Sequence, residues 1–172
     1  MHGVATGPVV RLWDFRAKGV QMTLEDAGQA GSVRSMHFSE NGYMAATGDA
    51  GGTVRLWDLR NQSVKHQADL AGAADAASGT SAADAVAAGI RQVRFDDSGR
   101  YLGIAVGGRI ELMGVKKWKN LGRIVPQGDG AAPSCFAFGQ DAKTVVVGGG
   151  DRFMRVFEAG LGGGSQAMME ES

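Results

Sequence analysis

The sequence predicts an all-β fold made of repeated antiparallel units, and two observations support that prediction. The hexapeptide RLWDFR at residues 11–16 returns as RLWDLR at residues 55–60, so the two Trp-Asp pairs lie 44 residues apart. Around them run short alternating strands separated by Gly, Asn and Asp turns, as in an antiparallel meander. A Trp-Asp repeat of roughly 40 to 45 residues is typical of a β-propeller blade, a four-stranded unit that buries its faces against neighbouring blades.

Four segments align with one another and predict a partial WD-repeat β-propeller of about three and a half four-stranded antiparallel blades. Residues 1–30 are a trailing half-blade that carries Trp13-Asp14 on one strand and an outer strand after it. Residues 31–70 form the most regular blade, whose strands VRSMHF, YMAATG and TVRLWD end at Trp57-Asp58.

The second half of the chain predicts two blades without the Trp-Asp pair. Residues 90–126 give a WD-like blade with the strands IRQVRF, YLGIAV and RIELM. Residues 133–159 give a degenerate last blade, in which Phe157 takes the place of the tryptophan. Asp151, six residues earlier, lies in a hairpin turn, where a carboxylate accepts backbone N–H bonds.

Two segments fall outside the repeat. Residues 71–89 are rich in Ala, Ser and Gly and are expected to form a solvated loop insertion between blades. Residues 160–172 are rich in Gly, Met and Glu, and we expect a disordered tail because they offer little apolar surface to bury.

Charge and composition favour protein partners. Eighteen basic and eighteen acidic residues cancel, and neither sign is concentrated, so we expect no direct nucleic-acid partner and no membrane. The single cysteine, Cys135, rules out an internal disulfide and fits a reducing compartment. We expect a soluble intracellular protein.

The residues that carry chemistry do not combine into a site, so we predict no catalytic residues, no cofactor and no metal. His2, His37 and His66 are scattered, and His37 is expected to pack between blades. Cys135 is expected to be a small buried hydrophobe. Asp96-Asp97 is expected to face water in a tight turn, and the glycines 148–150 to serve a hairpin. The competing interpretation is a propeller enzyme, which would need convergent His and carboxylate groups.

Trp118 follows a strand and is surrounded by three lysines in VKKWKNL. An exposed tryptophan among cations is a candidate contact for a protein partner. The alternative is that its ring covers the blade edge, with lysine stems lying along it.

Several strings, taken in order, resemble the C-terminal WD-repeat region of the pre-mRNA-processing factor 19 family. They are FSENGY, VRLWDLR, FDDSGRYL, KKW, AFG and DRFMRVF, spread over residues 9–157 apart from the insertion. We therefore expect a truncated fragment of a longer protein. The alternative is a WD-repeat scaffold of an unrelated complex.

The resemblance implies a function that the residues alone do not show. Members of that family are U-box ubiquitin ligases of a spliceosome-associated complex, act in pre-mRNA splicing and DNA repair in the nucleus, and form homotetramers through a coiled coil. Their propeller recruits complex subunits and ubiquitination substrates. No U-box or coiled-coil pattern is found in these 172 residues.

Compared with regular WD repeats, the hydrogen-bond network around the tryptophan is expected to be incomplete. Gly28-Gln29 replaces the usual Gly-His pair, and Gly51 takes the position six residues before Trp57, with Asp49 displaced by two. The usual aspartate is present only at Asp151. An open arc also leaves the faces of its terminal blades uncovered, so we expect the isolated chain to be unstable or adhesive.

Overall fold

The structure is a computed structural model that describes residues 2–6, 9–25, 31–71, 89–127, 132–140 and 142–160. All regular elements of this described part are β-strands, which confirms the predicted all-β class. Their bounds are β1 (His2–Thr6), β2 (Val9–Asp14), β3 (Gly19–Glu25), β4 (Val33–Phe38), β5 (Met44–Asp49), β6 (Thr53–Asp58), β7 (Ser63–Asp69), β8 (Ile90–Phe95), β9 (Tyr101–Val106), β10 (Arg109–Gly114), β11 (Lys119–Ile124), β12 (Pro133–Phe138), β13 (Thr144–Gly149) and β14 (Met154–Glu158).

The strands form four antiparallel sheets, each a meander in which consecutive strands pair. We call them blade 1 (β1–β3), blade 2 (β4–β7), blade 3 (β8–β11) and blade 4 (β12–β14). The first strands of blades 2, 3 and 4 lie side by side, because β8 contacts both β4 and β12. This is the blade arrangement of a partial propeller, as the repeat predicted.

The hairpin that follows the Trp-Asp position has the same geometry in blades 1, 2 and 3. Its turn ends on a residue in the left-handed region, namely Lys18, Gln62 or Trp118, at φ of 51°, 53° and 46°. In each hairpin the pairing register shifts by one residue between the residue at the Trp-Asp position and the residue before it. A four-residue turn with a left-handed residue and an adjacent bulge matches the right-handed twist of the strands.

The core consists of three layers, each between successive blades. Blades 1 and 2 enclose a cluster that includes Leu12 and Trp57, and blades 2 and 3 enclose one that includes Leu56 and Ile104. Blades 3 and 4 enclose the third, with Leu112 and Phe157. We refer to these layers as seams. Each blade therefore has a leading face toward the preceding blade and a trailing face toward the next.

The structure differs from the sequence prediction at three places. Blade 1 has three strands, because β1 pairs along β2 and was not predicted. Cys135 is exposed, not buried, because it lies on β12 toward the trailing side of blade 4, against which no described blade packs. Asp96 is almost fully buried, whereas Asp97 faces water as expected.

Two predicted segments cannot be compared in this way. Residues 72–88 of the expected insertion and residues 161–172 of the expected tail lie outside the described residues, as do Gly28 and Gln29. Within the described part, no helix is long and apolar enough to cross a membrane.

Candidate protein-interaction surface

The Trp-Asp position is where each blade meets the one before it. Trp57, Met113 and Phe157 occupy equivalent places on the third strands of blades 2, 3 and 4, opposite Ala45, Leu102 and Val145 of the second strands. Their side chains are 1%, 5% and 3% exposed. Trp13 takes the same place in blade 1 but is 41% exposed. The residue at the Trp-Asp position is thus buried in blades 2, 3 and 4 and partly exposed in blade 1.

On the trailing face of blades 1, 2 and 3, two aliphatic side chains of one strand are buried under the next blade. Val10 and Leu12 of blade 1, and the equivalent Val54 and Leu56 of blade 2, are fully buried under the next blade. Ile110 and Leu112 do the same in blade 3. Aliphatic side chains two residues apart point to one side of a strand, so each pair presents a continuous apolar surface to the following blade.

Trp57 is fixed by one buried hydrogen bond. Its indole Nε1 donates to Thr47 Oγ1 over 2.9 Å, from the third strand of blade 2 to the second. A hydroxyl group therefore accepts the indole N–H, although the sequence predicted an incomplete hydrogen-bond network around the tryptophan. A buried indole N–H without an acceptor would cost free energy, so this contact sets the position of the ring.

Asp49 closes the β5–β6 turn although it lies two residues before the usual aspartate position, which Gly51 occupies. Its Oδ1 accepts N–H bonds from Gly51 and Thr53, both at 2.9 Å, and so closes the β5–β6 turn. Its Oδ2 pairs with Arg55 Nη1 at 2.9 Å, with both side chains almost fully buried. The carboxylate thus organises the turn from two residues earlier than the usual position.

Blade 4 contains the expected aspartate at its usual position. Asp151 accepts the N–H of Phe153 and pairs with Arg155 at 2.6 Å. The hydrogen bond from Arg155 holds the pKa of the Asp151 carboxyl below its ordinary value. Arg155 is equivalent to Arg55, since each lies two residues before the Trp-Asp position. The two hairpins reach the same carboxylate–guanidinium contact from different turn positions.

The aspartates of the two Trp-Asp pairs cap the following turns. Asp14 accepts the backbone N–H of Arg16 at 2.8 Å. Asp58 accepts the backbone N–H of Arg60 and binds its guanidinium through both oxygens, at 3.1 and 2.9 Å. The hydrogen bond from Arg60 lowers the pKa of Asp58 to about 2. The guanidinium of Arg60 also lies 5.2 Å from the ring centre of exposed Tyr43.

The first strands add polar contacts to two seams. Ser35 Oγ and His37 Nδ1, on β4, accept the backbone N–H groups of Val93 and Phe95 at 3.0 and 3.2 Å. In the next seam Gln92 Oε1 accepts the N–H of Phe136 at 2.7 Å. Gln92 is equivalent to Ser35, so the same position of successive blades receives a backbone donor from the following one.

An open pocket of about 330 Å³ lies beside the blade 2–3 seam, and His37 and Asp96 are among the residues that line it. His37 is engaged there as an acceptor, and burial together with Arg94 lowers its pKa. Asp96 binds the N–H groups of Ser98 and Tyr101 and the Ser98 hydroxyl. His37 thus joins blades 2 and 3, and Asp96 closes the turn between β8 and β9. No set of three or more His, Cys, Asp or Glu in the described ranges is arranged to hold a metal ion.

Trp118 lies across the outer end of the blade 2–3 seam. Its ring stacks on His66 of β7, with centroids 5.3 Å apart and planes 10° from parallel. Its Nε1 donates to the carbonyl oxygen of Gln67 at 3.2 Å. The ring is half-buried, and its lysine neighbours 116, 117 and 119 are exposed. The edge-covering role is therefore real, while a role in partner binding stays a prediction.

The sequence predicted that the faces of the terminal blades are uncovered, but it did not predict which of their apolar side chains are exposed. The large exposed side chains gather at the two ends of the arc, with Tyr43 and Leu121 between them. The signal was available, since an unpaired end blade must expose the positions that its neighbours bury. These end residues are Trp13, Phe15 and Val20 in blade 1, and Phe153, Met154 and Val156 in blade 4.

The fold and the seams define the class of protein: an all-β chain of WD-repeat blades that forms part of a β-propeller. A family comparison agrees, because the model described as WD domain, G-beta repeat matches residues 20–58. That range runs from the outer strand of blade 1 to Asp58 at the end of the third strand of blade 2.

Two relatives give a more specific similarity than the WD-repeat family does. The chain is 34% identical over 166 residues to pre-mRNA-processing factor 19 homolog 2 of Arabidopsis thaliana, covering 95% of this chain and 27% of that protein. It is 35% identical over 157 residues to pre-mRNA-processing factor 19 of Oryza sativa subsp. japonica, covering 88% of this chain and 26% of that protein. The predicted resemblance is confirmed, and the chain spans about a quarter of the length of these relatives.

Proposed function

We propose that the chain is the partner-recruiting propeller region of a pre-mRNA-processing factor 19-like ubiquitin ligase that acts in the nucleus on pre-mRNA splicing, protein ubiquitination and DNA repair. The observation that carries the proposal is the similarity to two proteins of that name across 88% and 95% of the chain. WD-repeat folds expose rigid turns and strand edges that suit protein binding. The proposed partners are subunits of a spliceosome-associated complex and ubiquitination substrates.

The turn around Trp118 is the proposed partner contact away from the ends of the arc. One face of the indole is occupied by His66 and its N–H by Gln67, so the ring is held rigidly while part of it faces water. The exposed lysines 116, 117 and 119 surround it with positive charge. A rigid aromatic group among cations suits a partner surface that combines an apolar contact with carboxylates.

Affinity purification from nuclear extract tests this function. The immobilised chain should retain splicing-complex proteins, identified by mass spectrometry. The double variant Lys116→Glu/Lys117→Glu should retain several-fold less, because it reverses the charge while leaving the seam contacts of Trp118 intact. Lys18→Glu is the control, since Lys18 is exposed in the equivalent turn of blade 1. Retention of proteins from an unrelated assembly only, or of no protein at all, would contradict the proposal.

A further inference from the structure

The first strands of blades 2, 3 and 4 share one irregularity. In each of them the pairing with the second strand skips one residue near the start, which forms a β-bulge. The skipped residues are Arg34, Arg91 and Ser134, and all three are exposed. A bulge leaves its extra residue outside the ladder and turns that side chain in a new direction. The same level of successive blades therefore presents one exposed side chain each, and in blades 2 and 3 that side chain is an arginine.

The two arginines lie on the inner strands of the arc. Each first strand is the end strand of its own sheet, and β8 contacts both β4 and β12. The backbone N–H of Val93 donates to Ser35 Oγ over 3.0 Å, which joins β8 directly to β4. Because the blades of a propeller surround a central channel, these strands border it. Arg34 precedes Ser35 and Arg91 lies two residues before Val93, so the two arginines are neighbours on the channel wall.

Positive charge dominates this part of the wall. The strands β4 and β8, VRSMHF and IRQVRF, contain three arginines and no carboxylate, and β12, PSCFAF, has no charged residue. The exposed carboxylates Glu40 and Asp97 follow the opposite ends of β4 and β8. A cleft lined by one sign of charge attracts groups of the opposite sign. The start of these strands is therefore cationic although the whole chain has no net charge.

We infer that Arg34 and Arg91 form a binding site for an acidic segment of a partner protein at one mouth of the channel. Guanidinium groups bind carboxylates through paired N–H···O bonds, and clusters of arginines recognise acidic motifs. An extended segment advances about 3.3 Å per residue and points alternate side chains to one side. Carboxylates two residues apart on such a segment can therefore contact neighbouring arginines.

The surroundings favour a peptide over a nucleic acid. Single-stranded nucleic acids bind through bases stacked on aromatic rings, and the phenylalanines of these strands, Phe38 and Phe95, lie at the ends away from the two arginines. Blades 2 and 3 each have a described blade on both sides, so the site belongs to the interior of the arc. The inference rests on the fold and charges of two blades, and it stands whether or not the partners belong to a splicing complex.

Fluorescence anisotropy with two synthetic peptides tests the inference. The probe is a labelled peptide of alternating Glu and Ser residues, and its neutral match has Gln in place of Glu. The chain should bind the acidic peptide about tenfold or more tightly than the neutral one, because only the first complements the arginines. Added salt should weaken that binding, since it screens exposed charges. Equal binding of the two peptides, or no binding of either, would overturn the inference.

Substitution of the two arginines locates the site. Arg34→Glu and Arg91→Glu should each weaken binding of the acidic peptide by about tenfold, because each replaces an attraction by a repulsion. Arg16→Glu is the matched control, since Arg16 is an exposed arginine in the β2–β3 turn, and it should bind like the unmodified chain. An equal loss in Arg16→Glu would show that only the net charge matters, which would overturn the site.

Two comparisons separate other places and other ligands. Lys116→Glu/Lys117→Glu should leave binding of the acidic peptide unchanged. If that variant loses binding while Arg91→Glu keeps it, the peptide occupies the turn around Trp118 and the inference is wrong. A labelled oligouridine bound more tightly than the acidic peptide, and lost in Arg91→Glu, would overturn the choice of a protein ligand.

A neutral variant guards against effects of charge reversal on folding. Arg91→Gln removes the positive charge without adding a negative one, so it should weaken binding by a smaller factor than Arg91→Glu does. Circular dichroism should show the strand content of the unmodified chain in every variant, because the substituted side chains are exposed. Binding by folded Arg91→Gln that equals that of the unmodified chain would contradict the role of Arg91.

Discussion

At the residue scale, the burial of a WD tryptophan depends on whether a preceding blade packs against it. Trp57 is enclosed by blade 1 and satisfied by Thr47, whereas Trp13 in the same hexapeptide is partly exposed. The sequence predicted which residues occupy the motif positions. It did not predict the Thr47 contact or the compensation by Asp49, because both depend on strand register and turn geometry that the missing Gly-His pair concealed.

Replacing Thr47 by Val should destabilise the chain by about 1–3 kcal/mol, because it leaves the buried indole N–H of Trp57 without an acceptor at nearly constant volume. Chemical denaturation measures the change. In a Trp57→Phe background the same substitution should have little effect, since Phe has no N–H to satisfy. An equal loss in both backgrounds would show that Thr47 acts through some other contact.

His37 predicts a pH dependence of the blade 2–3 seam. Its folded pKa is lowered by burial and Arg94, so the unfolded chain takes up a proton at higher pH than the folded chain. Stability should be full above the ordinary histidine pKa of about 6.5 and should fall as pH drops toward the lowered folded value. Protonation also removes the acceptor for the Phe95 N–H.

The variant His37→Asn isolates this effect, because its amide oxygen can accept a hydrogen bond and does not titrate. Thermal midpoints of both proteins should be compared between about pH 7.5 and pH 5, a window set by the ordinary histidine pKa. The loss at low pH should be smaller in the variant, and the two other histidines are common to both proteins. Identical pH profiles would contradict this account.

At the element scale, the hairpins repeat more faithfully than their sequences do. Three turns place chemically different residues, Lys18, Gln62 and Trp118, in the same left-handed conformation. Strand alternation and Gly, Asn or Asp turns made the strands of blades 2 to 4 predictable. β1 was missed because HGVAT has a short alternating pattern with no Trp-Asp end, so only its pairing with β2 identifies it.

Gly48, near the end of the second strand of blade 2, leaves room for blade 3 to pack closely against it. A Cβ at Gly48 would lie 2.3 Å from Ile90 Cγ2, so Gly48→Ala should cost about 1–3 kcal/mol by overpacking the seam. The equivalent Gly148 has only Cys135 Sγ near, at 3.0 Å. Gly148→Ala should therefore cost below about 1 kcal/mol in the same denaturation experiment. A larger loss for Gly148→Ala would contradict the seam assignment.

At the scale of the whole molecule, stability depends on contacts between successive blades, as in other repeat proteins. Each internal seam buries a residue at the Trp-Asp position together with an aliphatic pair, and the end faces have both kinds of surface exposed. The repeat length and motif made this arc predictable. The repeat does not predict which partners bind the arc, because the blade positions that form seams are the same whatever the outer surface contacts.

The most direct test compares Trp57→Ala with Trp13→Ala by chemical denaturation. Trp57→Ala should lose about 3–5 kcal/mol, because it empties a space between two packed blades. Trp13→Ala should change stability by below about 1 kcal/mol, because its side chain is 41% exposed and no described blade lies in front of it. Similar losses for the two tryptophans would contradict the arc of blades joined by directional seams.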